Sequence, residues 1–265
     1  MTRSFLRPFA AFAFAAASFA APAFAADAPA GKPTIVLVHG AFADASSWNG
    51  VAAELRDKGY PVVAVANPLR SVAGDARYTA ALIDRIAGPV VLVGHSYGGS
   101  VISAAAEGQP RVKALVYVSA FAPERGESVA GLAGKFPGGT LGEALAAPVP
   151  LPEGGNDLYI DQQKFAAQFA ADVKPAQARL MAIGQRPVTE AALSEPSQGT
   201  AWKALPVYFV YGSKDKNIPP AAMAWMAERA HSRSTVVIAG ASHVPQVSHP
   251  HDVATLIDTA ARATR

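Results

Sequence analysis

The stretch "VVLVGHSYGGS", residues 90–100, decides the fold of this chain. Its unbroken apolar start, Val90 to Val93, reads as a strand buried on both faces, the habit of strands in a parallel sheet. Glycines then crowd around Ser96, and a helix is expected beyond it, running to about Gly108. The chain thus passes abruptly from strand to helix around a single serine.

Working outward, similar runs occur at "TIVLVH" (34–39), "YPVVAVAN" (60–67) and "VKALVYVSA" (112–120). Helical patterns lie between them at 48–59 and 75–88. Alternating strands and helices give a parallel sheet with helices on both faces and right-handed crossovers. The alternation stops at about residues 122–202, where proline and glycine crowd the first third and helical stretches follow, "LYIDQQKFAAQFAADV" and "PAQARLMAIGQ". No buried strand pattern is visible there. This segment reads as a helical cap inserted after the fourth strand, over the ligand-binding end of the sheet. Its apolar residues Phe136, Leu145, Tyr159, Phe165 and Phe169 either line a pocket or pack within the cap. The sheet resumes with "PVYFVYG" (206–212), a helix near 219–230, "STVVIAG" (234–240) and a last helix from Pro250. The expectation is an α/β fold: a mostly parallel six-stranded sheet, helices on both faces, and one domain over 26–265.

Residues 1–25 read as an address. Arg3 and Arg7 precede an apolar core that ends in Ala23-Phe24-Ala25, the A-x-A pattern of a signal peptide cut after Ala25. Pro22 interrupts that core, which is shorter than the roughly 20 residues a membrane span needs. The mature protein is expected in the periplasm or outside the cell, with no membrane association once the signal is gone. Of 265 residues, 51% are hydrophobic and 16% charged, as in an ordinary globular domain. The formal charge of +3 falls to about +1 when Arg3 and Arg7 leave with the signal, and no basic cluster appears, so nucleic acid is not an expected partner. The absence of cysteine excludes disulfides and a thiol nucleophile. Nothing in the chain specifies an oligomeric state.

The chemistry follows from where the strands end. Ligands of open parallel sheets bind at the carboxyl ends of the strands, and Ser96 sits at one. Gly94-His95-Ser96-Tyr97-Gly98 matches G-x-S-x-G, the nucleophile elbow, in its required setting between a strand and a helix. A serine nucleophile needs a base and an orienting acid, which this architecture supplies in the order Ser, acid, His. His243, in "GASHVPQVSHP" after the last strand, is placed to be the base. His39 and His95 flank strand ends as packing or site-wall residues, whereas His231, His249 and His251 read as surface or helix-start positions. Asp215, in "VYGSKDKNIPP", emerges after the penultimate strand; its flanking lysines also fit a solvated turn, and Glu124 is the runner-up acid. Two backbone amides are needed for the tetrahedral oxyanion: Tyr97, after the nucleophile, and Ala41, where Gly40 permits the turn. Phe42 is either an alternative amide donor or a pocket wall, and Val244 is a second candidate for the substrate pocket.

The motifs "LVHGAFADASSW", "VVLVGHSYGG", "YGSKDKNIPP" and "GASHVPQVSHP" resemble the α/β-hydrolase superfamily over nearly all of the mature chain. More narrowly, the chain is similar to small bacterial hydrolases related to plant methylesterases and hydroxynitrile lyases, whose core lacks the first antiparallel hairpin of larger members. The resemblance implies Ser96, Asp215 and His243 as triad, Ala41 and Tyr97 as oxyanion donors, and neither metal nor organic cofactor. The resemblance does not fix the substrate; with the leader at 1–25, the expected function is an exported serine hydrolase acting on a small-molecule carboxylic ester through an acyl-enzyme. The rival readings are a lyase or cofactor-independent perhydrolase on the same scaffold, and a small-ligand binding protein with a vestigial site.

Overall fold

The structure, a computed structural model, describes residues 31–264, so the proposed leader at 1–25 lies outside it. Along the chain run β1 (Thr34–Val38), α1 (Asn49–Asp57), β2 (Val62–Val65), α2 (Val72–Ile83), β3 (Val90–His95), α3 (Gly98–Ala105) and β4 (Val112–Val118). The insertion follows: α4 (Val129–Ala133), α5 (Leu141–Ala144), β5 (Val149–Pro150), β6 (Asn156–Leu158), α6 (Gln162–Phe169), α7 (Pro175–Gly184), β7 (Val188–Thr189) and α8 (Glu190–Ser194). Then come β8 (Val207–Gly212), α9 (Pro220–Arg229), β9 (Ser234–Ile238), α10 (Pro245–Ser248) and α11 (Pro250–Arg262).

Six strands pair in the order β2-β1-β3-β4-β8-β9, every pairing parallel. The chain leaves β1 toward one edge and returns to β3 on its other side. The strand order reverses at that point, which opens a crevice at the carboxyl ends of β1 and β3. Because side chains alternate across a strand, Val36 and Val38 join Leu92, Tyr117 and Phe209 on one face, under α2, α3 and α9. Ile35 and Leu37 join Val91, Val93 and Val116 on the other, under α1 and α11. Helix α11 sets Val253, Leu256, Ile257 and Ala260 at helical spacing on that face. Each such side chain, fully buried, contributes about 1.5–3 kcal/mol of transfer free energy before conformational entropy is subtracted.

Two expectations need correction. The insertion is not strand-free: β5, β6 and β7 form an antiparallel three-stranded sheet within it. Strands of two or three residues are too short to show an alternating pattern, and Pro150 closes β5. Helix α2 also begins earlier than its apolar pattern suggests, because Ser71 caps it by accepting from the Gly74 amide. Among the described residues no helix is long and apolar enough to cross a membrane.

Candidate active site

Ser96 stands in the turn between β3 and α3 with φ = 53°, a left-handed conformation that a side-chain-bearing residue adopts only when its surroundings hold it there. Its amide donates to the carbonyls of Ser119 (3.1 Å) and Val118 (3.3 Å) at the end of the neighbouring strand, and its carbonyl accepts from Phe121 (3.2 Å). The turn is so tight that a Cβ on Gly94 would lie 2.6 Å from the Gly98 carbonyl oxygen. The elbow glycines are therefore required by close approach of backbone to backbone.

The loops after β8 and β9 bring the other two residues together. His243 Nδ1 lies 2.7 Å from Asp215 Oδ2, with both side chains completely buried. The second carboxylate oxygen, Oδ1, accepts from the amides of Asn217 (2.8 Å) and Ile218 (2.9 Å). Asp215 is thus a fixed, fully bonded acceptor, while its neighbours Lys214 and Lys216 point to solvent. Glu124 is not brought to this site: it pairs with Lys203 at 2.6 Å, and that partner holds its carboxyl below the usual range. His243 Nε2 is buried and has no hydrogen-bond partner among the described residues, Ser96 Oγ included.

At the end of β1, a Cβ on Gly40 would lie 2.6 Å from Ser96 Cβ, so this loop rests directly against the nucleophile candidate. The two candidate donors there differ. The Phe42 amide is engaged by the Arg186 carbonyl of the insertion at 2.9 Å, whereas the amides of Ala41 and Tyr97 have no acceptor among the described residues. The Phe42 side chain is packed against the insertion. Its ring meets Phe169 edge-on at 6.2 Å, and Phe169 in turn meets His243 at 5.0 Å. A groove of about 310 Å³ lies outside this aromatic pair, lined by Phe42, Ser46, Asn49, Met181 and Val247; Ser96 and His243 do not line it. Val244 is packed in the core, and its near neighbour Val247 faces the groove. Of the apolar insertion residues, Phe169 reaches the histidine, while Phe136 packs on Trp225 and Leu145 bridges to Ile160.

Buried histidines flank the site. His39 Nε2 accepts from the Asn67 amide (3.1 Å), which leaves Nδ1 to donate to the Gly40 carbonyl (2.9 Å). Burial lowers its pKa to about 4, so it stays neutral. His95 is likewise held well below its ordinary value by burial, and its Nε2 donates to the His243 carbonyl at 3.0 Å. It thereby supports the backbone of the candidate base. Sequence reading missed Asp172, in the turn between α6 and α7. Its Oδ1 accepts from both the amide (3.1 Å) and the hydroxyl of Ser242, clasping the residue before His243. No local pattern around Asp172 advertises this, because the contact spans 70 residues.

Comparison with known proteins identifies the family of the chain. The alpha/beta hydrolase nvfD of Aspergillus novofumigatus (strain IBT 16806) is 28% identical over 251 residues, 87% of this chain and 97% of that protein. The esterase PIR7B of Oryza sativa subsp. japonica is 25% identical over 85% of this chain and 94% of its own. Polyneuridine aldehyde esterase superposes with a TM-score of 0.75 at 21% identity, covering 86% of this chain and 98% of that structure. Residues 35–256, from β1 into α11, match the family described as the alpha/beta hydrolase family, and the chain belongs to it.

Proposed function

We propose that this enzyme cleaves a carboxylic ester of a small apolar or aromatic acid, with Ser96 as nucleophile, His243 as general base and acid, and Asp215 as the orienting carboxylate. One observation carries the reading: Nδ1 of a fully buried His243 is bound to Asp215 at 2.7 Å while its Nε2 has no partner among the described residues. Donation from Nδ1 to the carboxylate selects the tautomer in which Nε2 carries a lone pair. A buried polar nitrogen without a bond calls for an explanation, and a proton to be shuttled supplies one. The bond between base and serine is commonly long in a resting enzyme and tightens around the reacting substrate. The esterases among the relatives support ester cleavage as the reaction class.

Ser96 Oγ attacks the ester carbonyl as His243 Nε2 takes the hydroxyl proton. The amides of Tyr97 and Ala41 receive the oxyanion of the tetrahedral intermediate. The C–O bond to the alcohol breaks, and His243 returns the proton to that leaving oxygen. Water then attacks the acyl-enzyme, His243 accepting its proton and passing it to Ser96 Oγ as the acid departs. Phe169, whose ring meets His243, and Phe42, which meets Phe169 and lines the groove, favour a small apolar or aromatic group beside the base. Export rests on residues 1–25; N-terminal sequencing of the exported protein should read from Ala26, and a start at Met1 would contradict cleavage.

The test is Ser96→Ala assayed on a p-nitrophenyl ester. The expected loss in kcat is on the order of 10⁴ or more. Full turnover by a folded Ser96→Ala protein would overturn the reading.

A further inference from the structure

The side chain of Tyr97 leads away from the site, and what holds its far end is a buried carboxylate that the reaction itself does not use. The Tyr97 hydroxyl donates to Asp75 Oδ2 at 2.9 Å. Asp75 lies in the first turn of α2, is 1% exposed, and sits on the same side of the sheet as Tyr97. Burial raises its pKa, opposed by the donors around it, and burial together with Asp75 pushes the Tyr97 phenol far above its ordinary value. The phenol therefore keeps its proton and donates it to the Asp75 carboxyl in a hydrogen bond.

The other oxygen, Asp75 Oδ1, accepts from the Arg70 amide at 3.3 Å. Arg70 belongs to the loop between β2 and α2, which the insertion grips from outside. The Arg70 guanidinium reaches Asp157 Oδ1 (2.6 Å) and the Pro187 carbonyl (2.8 Å). Thr189 donates its amide to the Leu69 carbonyl (3.2 Å) and its hydroxyl to the Arg70 carbonyl (2.8 Å). The Glu195 carboxylate takes the Val72 and Ala73 amides at the start of α2. One continuous set of bonds thus runs from the small sheet of the insertion, through Arg70 and Asp75, to the residue that follows Ser96.

We propose that Asp75 is a positioning residue of the oxyanion site: by pinning the Tyr97 phenol it fixes the direction of the Tyr97 amide, and through Arg70 it ties that direction to the seating of the insertion. The proposal rests on Tyr97 being an oxyanion donor. The phenol is the far end of the side chain on the Cα that carries that amide, so holding it restricts rotation of the elbow where the transition-state charge develops. Small displacements of such a group have large rate effects, on the order of a hundredfold for 1 Å.

The experiment compares Tyr97→Phe, Asp75→Asn and the double variant with the parent enzyme on a p-nitrophenyl ester, with thermal melts and circular dichroism in parallel. Ser96→Ala is run beside them. Expected are losses in kcat of about tenfold or more in each single variant at nearly constant KM. The affinity for a boronic acid, whose tetrahedral adduct mimics the intermediate, should weaken by a similar factor. The double variant should lose no more than the worse single one, because both break the same bond. Folded single variants with unchanged kcat, or with changes confined to KM or melting temperature, would overturn the proposal; so would additive losses. If Asp75→Asn does not fold, Tyr97→Phe, which removes one oxygen, decides alone. An active Ser96→Ala protein would instead overturn the serine mechanism, a distinguishable failure.

Discussion

At Gly40 a single added methyl group would crowd the candidate nucleophile Ser96. An added Cβ would stand 2.6 Å from Ser96 Cβ and 2.7 Å from the His95 carbonyl, both held by the elbow and neither at the end of a flexible side chain. Gly40→Ala is therefore expected to lower esterase activity a hundredfold or more by displacing the loop from the nucleophile, with about 1–3 kcal/mol of destabilisation from overpacking. Kinetics and denaturant titration of the one variant check both halves. At this scale the sequence was most legible where position in the alternation of strands and helices decided between residues. Asp215 and Glu124 are both acids near strand ends, yet only the loop after β8 reaches His243. Lysines on either side made Asp215 look solvated, but the chain turns so that they face out and the carboxylate faces in. What stayed hidden was sidedness within a loop. Val244 and Val247 are both apolar and close in sequence, and only the fold determines which faces the groove.

Among the elements, the insertion and α2 depend on each other. Ser71 caps α2 from within, and Glu195 of the insertion accepts from two of its first amides. A carboxylate there also meets the positive end of the helix dipole. Glu195→Ala should cost about 1 kcal/mol in an equilibrium unfolding experiment, the usual scale for a lost N-cap. An unchanged unfolding midpoint would show that Ser71 suffices. The four central strands β1, β3, β4 and β8 could be read from apolar runs because burial on both faces leaves little room for polar residues, and the half-exposed edge strands β2 and β9 from their β-branched residues. The small sheet could not be read, since its stability comes from docking against the Leu69–Arg70 loop and from pairing across some 30 residues. Local sequence carries no trace of either.

For the whole molecule, the buried neutral histidines set a limit on acid stability. His39 has its pKa lowered from 6.5 to about 4 in the folded state, so between those values the unfolded chain binds a proton that the native one does not. Stability is complete above pH 6.5 and is lost as pH falls toward 4, on the order of 3 kcal/mol at most from this group. His95, shifted in the same direction, adds to the loss. Urea midpoints measured from pH 7 to pH 4 should fall steadily, and His39→Gln should flatten the slope; a pH-independent midpoint would contradict the assignment.

The proposed chemistry needs one hydroxyl made reactive by one histidine that a buried carboxylate orients. Intact and peptide mass spectrometry after exposure to a fluorophosphonate measures this directly. A single adduct should appear on Ser96 of the native protein, with labelling slowed at least a hundredfold in His243→Ala. An unlabelled Ser96 in the folded native protein, or equal labelling rates with and without the imidazole, would contradict it.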